Sequence, residues 1–411
     1  MSVPEERVVN TGEDVVAVTR ALVAARTPNP PGDERPAAEL VTKLLLDYGL
    51  PAPEVIAERP ERPNLLVSLP FGEGGRHLCL SGHLDTKPVG TARWRSDPYT
   101  AEIRDGDLFG LGAVDMKGAV AAMILAARRL MTAPPTAGRL SLLLTADEED
   151  GGRWGARYVV STGALDADGV VIGEPGGLER DFDRLHVVSR GLARFRVEVS
   201  GDQGHTSLRE RTGAVNASVE MAGLLARFSD QFHPTVPARL DGLEGWNATV
   251  TAGVHVRGGI AFGVVPGLAS FDAEVRLLPG MSRAQLRRDI EHFLEGQRAV
   301  HPSLQCRLIF ADSPLAWLSP TEVDLADPLV EHTRKALQSV LAKDVPVCVF
   351  PGATDAAFFQ GMASISTLPA LGPGLLAAAH GADERVSVAS LRASVDIYES
   401  LARSYCAESA G

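Results

Sequence analysis

Three features of this sequence predict an α/β domain interrupted by a smaller α+β domain. Short apolar runs alternate with helix-like runs over the first third of the chain. Near residue 190 the pattern changes to half-buried strands separated by helices. Histidine and carboxylate side chains stand just past the ends of the apolar runs. Strands alternating with helices imply a mainly parallel sheet with helices on both faces, and in such sheets ligands bind beyond the carboxyl ends of the strands.

Taken in order, residues 14–25 carry apolar side chains at helical spacing, TPNPPGDERP breaks the chain, and 37–48 resume a helix. Residues 64–69 and 77–81 are strands, the second short and apolar enough to be buried. A helix over 118–131 presents small residues for close packing, and 139–145 and 168–172 are two more buried strands. Residues 192–199 then alternate like a half-buried strand, followed by a helix over 213–228 and strands over 249–257 and 268–277. A helix over 282–300 and a strand over 304–310 complete a strand–helix–strand–strand–helix–strand order, which is ferredoxin-like. The predicted division is therefore 1–189 and 313–411 for the first domain, with 190–312 inserted into it. The return to the first domain begins with a helix over 327–341.

Composition narrows the function. At roughly 150 residues per domain, 411 residues fit two or three domains. Forty Lys+Arg against 52 Asp+Glu give a net charge of −12, which disfavours nucleic acid and anionic membrane as partners. The four cysteines (Cys79, Cys306, Cys348, Cys406) are scattered and form no C-x-x-C pair, as expected in a reducing compartment. The start MSVPEERVVN lacks the apolar core of a signal peptide. The longest uncharged helical run, residues 118–127, is far short of the ~20 residues that span a bilayer. A soluble cytoplasmic protein is expected.

His83 and Asp85 follow the strand ending at Ser81, in SGHLDT, Asp115 precedes a helix, Glu148 and Glu149 follow RLSLLLTAD, and Glu174 follows VVIG. One sheet edge would thus gather an imidazole and five carboxylates. Carboxylates so crowded repel one another unless cations hold them. Two divalent metals sharing a carboxylate relieve the repulsion, and mixed nitrogen and oxygen ligands favour zinc, with cobalt or manganese as substitutes. His83 and Asp85 are two apart, so in an extended segment they point the same way, one to bind metal and the other to orient it. Glu148 and Glu149 are adjacent, so their side chains diverge; one can ligate while the other takes a proton from a water. Singly, each has a plainer reading: His83 with Asp85 as a surface pair, Glu148 with Glu149 as a solvated turn, Asp115 as a helix cap. Other chemistries fit worse. Asp115 replaces the third glycine of a dinucleotide loop, no G-x-S-x-G is present, and Cys79 lies inside a predicted buried strand.

The segments SGHLDT, GAVDMKG, ADEEDGG, IGEP, GHTS, GATDAAFF and GPGLLAAAHGADE occur in one order over about 300 residues. Together they resemble the di-zinc family of acetylornithine deacetylase, succinyl-diaminopimelate desuccinylase, aminoacylase and carboxypeptidase G. The resemblance implies a zinc-peptidase-like catalytic domain with a mainly parallel mixed sheet and an inserted ferredoxin-like lid and dimerisation domain. By position, His83 and Glu174 resemble the ligands of one metal and Glu149 and His380 those of the other, with Asp115 bridging. Asp85 matches the carboxylate behind the ligands, Glu148 the general base, and Asp115–Met116 a cis peptide. His205 matches a lid histidine that in dimeric members reaches a neighbouring subunit's site to stabilise the oxyanion. Arg276 resembles the residue that grips a substrate carboxylate, and Thr354, Gly372 and Gly374 resemble substrate-lining positions. Many deacylases of the family carry Asn before the Val-Val-Pro of the lid turn; here Gly263 stands in that place, with Asn247 as a possible substitute. The implied activity is hydrolysis of an N-acyl amino acid by a homodimer, with a carboxypeptidase or dipeptidase on the same site as the alternative. An inactive metal-bound binding protein is the remaining reading, and an intact Glu148 argues against it.

Overall fold

The computed structural model describes residues 14–239, 243–310 and 316–409. The acidic N-terminal segment and the expected boundary at 312–313 lie outside the described residues. Two compact units emerge: Met1–Val188, Glu322–Phe350 and Thr354–Gly411 supply the first, and Ser189–Thr321 with Pro351–Ala353 the second.

The first unit is built on a six-stranded sheet in the order Glu54–Ile56, Asn64–Gly72, Gly138–Thr145, His77–His83, Gly169–Ile172, Ser366–Leu368. The last four strands pair in parallel, and Asn64–Gly72 runs antiparallel to both its neighbours. Every residue of the central strand His77–His83 is buried, as a strand covered on both faces requires. Helix Gly118–Thr132 packs on the sheet with helices Val15–Ala24 and Val388–Cys406. Its ten residues from Gly118 to Ala127 are all buried. A Cβ at Gly118 would fall 2.7 Å from Leu391 Cδ2, so the small residue there permits the helix Val388–Cys406 to approach.

Register then places the loops. His83 lies opposite Thr145, and Ser81 opposite Ile172, so three parallel strands finish at one edge. Asp85, Glu148, Glu149 and Glu174 all follow within a few residues of that edge.

The second unit holds strands Gly191–Ser200, Thr249–Gly258, Leu268–Leu277 and Gln305–Phe310 with helices Ala217–Gln231 and Arg283–Val300. The sheet order, second–third–first–fourth with antiparallel pairing throughout, is ferredoxin-like. Phe195, Phe228, Phe232 and Phe271 are buried in its core, with the Phe228 and Phe293 ring centroids 5.2 Å apart edge to face. The helix expected from residue 213 starts instead at Ala217. Gly213 takes a left-handed φ of 67° that ends a preceding short turn of helix, and the Asn216 side chain accepts from the amides of Ser218 and Val219. Among the described residues no helix is long and apolar enough to cross a membrane.

One buried hydrogen bond ties helix Val388–Cys406 to a loop near the strand edge. The hydroxyl of Tyr398 donates to the Leu371 carbonyl at 3.0 Å, and both residues are buried. Tyr398→Phe should therefore destabilise the protein by about 1–3 kcal/mol, the range for stranding a buried acceptor. Thermal denaturation checks this; an unchanged melting temperature would mean that another group satisfies the Leu371 carbonyl.

Candidate metal centre

Asp115 occupies the middle of the site. Its Oδ1 lies 2.9 Å from His83 Nε2, and its Oδ2 lies 3.0 Å from His380 Nε2. Each imidazole nitrogen also faces a second carboxylate: His83 Nε2 is 3.5 Å from Glu174 Oε1, and His380 Nε2 is 3.2 Å from Glu149 Oε2. Two triads therefore share one carboxylate. Ligand atoms of His83, Glu148 and Glu174 lie within 4.8 Å of one another, as do those of His83, Asp115 and Glu149. This donor set of imidazole nitrogen and carboxylate oxygen, with His83, Asp115 and Glu174 buried, Glu148 and Glu149 half-buried and His380 exposed, suits divalent metal ions.

The local backbone explains how the side chains get there. Asp115 lies just before helix Gly118–Thr132, and the Asp115–Met116 peptide is cis. His380 adopts φ 61°, a left-handed conformation uncommon outside glycine and the kind of outlier found at functional sites. Asp147, at φ 64°, opens the 3₁₀ turn Glu148–Asp150. The Glu149 side chain leaves that turn towards His380, and Glu148 turns towards His83 and Glu174.

Asp85 is fully buried behind these groups. Its Oδ1 accepts from the Glu148 amide at 3.3 Å and its Oδ2 from the Glu149 amide at 3.1 Å. The second ring nitrogen of His83, Nδ1, faces the Asp85 carbonyl at 3.0 Å and its carboxylate at 3.4 Å. A ligand histidine held through its other nitrogen has a fixed ring plane and tautomer.

Charge crowding is visible in the titration behaviour of the metal-free protein. Burial first, then the Asp115 charge, push Glu174 up to about 7. Burial and the Glu174 charge raise Glu148 well above the usual carboxylate range. His380 is pushed up to about 10 by its hydrogen bonds to Asp115 and Glu149. Burial opposes the charge on His83, but hydrogen bonds to Asp115, Asp85 and Glu174 outweigh it and raise the imidazole. Protonated imidazoles thus stand between the carboxylates where metal ions would go.

The other sequence candidates separate by unit. Gly372 donates its amide to the Glu174 carbonyl at 2.7 Å, and a Cβ there would meet the Gly173 carbonyl at 2.0 Å. Gly374, at φ 86°, would collide with Val114 Cγ2 at 2.4 Å if it bore a side chain. These glycines are required by close backbone approach. Thr354 is buried and its hydroxyl accepts from the Ala356 amide at 3.3 Å. His205 and Arg276 belong to the second unit. His205 is exposed and its Nδ1 accepts from the Ser207 amide at 3.3 Å, which leaves the proton of the neutral ring on Nε2. Arg276 pairs with Glu274 Oε1 at 2.8 Å. Gly263 sits at φ 82° with nothing within 4 Å of a Cβ. Asn247 Oδ1 accepts from Arg190 at 2.5 Å, so that carbonyl is engaged.

Four groups without a sequence signal of their own also surround the centre. Glu384 Oε1 accepts from the amides of Val114 and Asp115 at 3.1 and 3.2 Å, and burial with the Asp115 charge pushes it up to about 8. Asp355 Oδ2 accepts from Thr145 at 3.2 Å and is pushed up to about 7 by burial. Lys117 is buried, donates to the Ala25 carbonyl at 2.7 Å and is pushed down to about 7 by burial. The Lys87 ammonium lies 3.1 Å from Glu149 Oε2, and its amide donates to Oε1 at 3.1 Å. The first three lie inside segments that the family resemblance marks: GADE, GATD and VDMKG. Lys87 directly follows SGHLDT, and nothing in its local sequence marks it. Burial pushes the Cys79 thiol up to about 12, which removes it as a nucleophile.

Comparison with known proteins fits this geometry. Residues 79–404 match the sequence profile of Peptidase family M20/M25/M40. Succinyl-diaminopimelate desuccinylase of Gluconacetobacter diazotrophicus is 31% identical over 402 residues, covering 94% of this chain and 97% of that protein. The enzyme of the same name from Xanthomonas campestris pv. campestris is 32% identical over 339 residues, covering 80% and 84%. Among solved structures, the M20 family metallo-carboxypeptidase Sso-CP2 of Sulfolobus solfataricus superposes with a TM-score of 0.73 at 16% identity, covering 96% of this chain and 99% of that one. The di-peptidase Dug1p of Saccharomyces cerevisiae gives 0.74 at 14% identity, covering 96% of each chain. These last two share the fold. With most of its length matched, the chain belongs to Peptidase family M20/M25/M40, and it is a metal-dependent hydrolase of amide bonds.

Proposed function

We propose that this enzyme removes the acyl group from an N-acyl amino acid, using two divalent metal ions, with zinc the natural pair and cobalt or manganese able to replace it. The observation that carries the reading is the Asp115 carboxylate, with one oxygen on each of two imidazoles at 2.9 and 3.0 Å. His83 and Glu174 would hold one ion, Glu149 and His380 the other, and Asp115 both. Bound there, such ions lower the pKa of a water and polarise the amide carbonyl. Glu148 takes the proton from the attacking water and returns it to the leaving amine. Burial and neighbouring carboxylates raise its pKa in the metal-free state, and bound cations would hold it ionised, the form that can accept a proton. Asp85 keeps His83 in its ligating orientation. His205 offers an Nε2–H to the developing oxyanion, Arg276 offers its fork to the substrate carboxylate, and Thr354, Gly372 and Gly374 line the substrate. A cytoplasmic location accords with four cysteines that form no disulfide.

The second unit would also form a homodimer. Among the described residues the strand Thr249–Gly258 pairs on one side only in its sheet, and Val254, Val256, Ile260 and Phe262 nearby are 49%, 55%, 75% and 107% exposed. An open edge beside exposed apolar side chains invites a second copy.

The substrate need not follow from the desuccinylase relatives. Gly263 presents no amide and leaves open space, which favours an acyl or amino-acid group bulkier or less polar than succinyl-diaminopimelate. The peptidase alternative uses the same centre on a peptide bond.

Metal analysis should find about two ions per chain, and chelation should abolish hydrolysis. Glu148→Gln should keep both ions and lose at least about 10²-fold in kcat, whereas Glu149→Gln should lose one ion. An active preparation with a single ion, or an active Glu148→Gln, would overturn the reading. On substrates, kcat/KM for bulky N-acyl amino acids should exceed that for succinyl-diaminopimelate and acetylornithine; a value of roughly 10⁴–10⁸ M⁻¹s⁻¹ for either biosynthetic substrate, above the bulky ones, would remove the significance given to Gly263. Sedimentation velocity should show a dimer that Val256→Lys converts to monomer; a wild-type monomer with full activity would refute the dimer.

A further inference from the structure

We propose that Asn29, held by the Arg62–Glu34 ion pair, is a positioning residue for the metal centre. This rests on the assignment of His83 as a ligand and Glu148 as the base.

Asn29 is 1% exposed and uses all its side-chain hydrogen-bonding groups. Its Nδ2 donates to Asp85 Oδ2 at 2.8 Å and to Asp147 Oδ1 at 3.1 Å. Its Oδ1 accepts from Arg62 at 3.1 Å. The same guanidinium binds Glu34 Oε1 at 2.7 Å, donates to the Pro31 carbonyl at 3.2 Å and lies 3.6 Å from Asp147 Oδ1. Glu34 is fully buried and Arg62 8% exposed. Room for the guanidinium exists because residue 32 is glycine: a Cβ there would fall 1.9 Å from Arg62.

One amide therefore joins the two residues that set the site's geometry. Asp85 receives the amides of Glu148 and Glu149 and faces His83 Nδ1. Asp147 opens the turn that carries Glu148 and Glu149, and its Oδ2 accepts from the Trp154 amide at 3.0 Å. An amide nitrogen is the group that can bridge two neighbouring carboxylates, since a hydroxyl has one hydrogen and a carboxylate none. The Arg62 charge on Oδ1 polarises the amide and strengthens both donations. Without Asn29, the Asp85 and Asp147 carboxylates lose the donor they share, while Arg62 remains 3.6 Å from Asp147 Oδ1. Asp85 then loses the side-chain donor that fixes its carboxylate alongside the Glu148 and Glu149 amides, and the ring plane of His83 and the turn of Glu148 are held less firmly.

Asn29→Ala tests this by three measurements: zinc affinity by competition with a chromophoric chelator, steady-state kinetics, and the melting temperature of the zinc-free protein. Expected is a loss of about 10–100-fold in zinc affinity and in kcat, with KM within about threefold of wild type. A purely structural residue would lower the zinc-free melting temperature and leave zinc affinity and kcat per folded chain unchanged, which would overturn the proposal. If Asn29→Ala does not fold, Asn29→Ser, which keeps one donor, is read by the same criteria. Failure of both to fold would assign Asn29 to the fold alone and also overturn it. Failure of the broader functional reading looks different: the wild type itself would then bind fewer than two zinc ions, or Glu148→Gln would stay active, and the proposal falls with it.

Discussion

Asp115 shares its two oxygens between two imidazoles, and the surrounding protein answers the crowding of charge that this arrangement creates. Asp85, Asp115 and Glu174 are buried, and Glu148 and Glu149 join them from one turn. Buried carboxylates at such spacing are stable only when protonated or paired with cations. In the metal-free protein both remedies appear: Glu174 rises to about 7 and His380 to about 10, so acids keep protons and bases gain them. Divalent ions would displace those protons, so metal binding and proton release are coupled in this site.

Placement of these groups follows from sheet register more than from local propensity. Three parallel strands end together, and each continues into a loop that brings one or two carboxylates to the edge. His380 and Asp147 take left-handed conformations that side chains seldom adopt, at two positions where a regular backbone would aim the following groups elsewhere. Close approach of Gly372 to Gly173 and of Gly374 to Val114 brings a third loop onto the same edge. Left-handed backbone at Asp147 and His380 and tight packing at Gly372 and Gly374 thus help to shape this edge.

Much of this is legible in the sequence because it is local. The strand ending SGH and the strand RLSLLLT are short apolar runs bounded by polar turns, and the side chains that matter lie within a few residues of them. The start of helix Ala217–Gln231 differs from expectation because apolar periodicity does not register a glycine stop followed by an asparagine cap. The Asn29 brace is invisible for a different reason. Its partners Asp85 and Asp147 lie 56 and 118 residues away, and TPNPPG reads locally as nothing more than a break between helices. Lys87 illustrates the same limit, since its partner Glu149 is 62 residues distant.

In the proposed reading the metal ligands and the base share one unit while His205, Gly263 and Arg276 lie in the other, and that division bears on what similarity can transfer. His83, Asp85, Asp115, Glu148, Glu149, Glu174 and His380 all belong to the first unit, where strand register fixes them. His205, Gly263 and Arg276 belong to the second: His205 is exposed, Arg276 pairs with Glu274 in a strand held on both sides, and Gly263 takes a φ of 82° with open space around it. A change at exposed His205 costs the fold little, whereas a change among the buried carboxylates unbalances several charges at once. Identity near 31% therefore constrains the hydrolytic centre much more tightly than the groups that choose a substrate. In the proposed reading a glycine at residue 263 relaxes discrimination without touching the reacting atoms, so family membership and an altered substrate are compatible outcomes of the same physics.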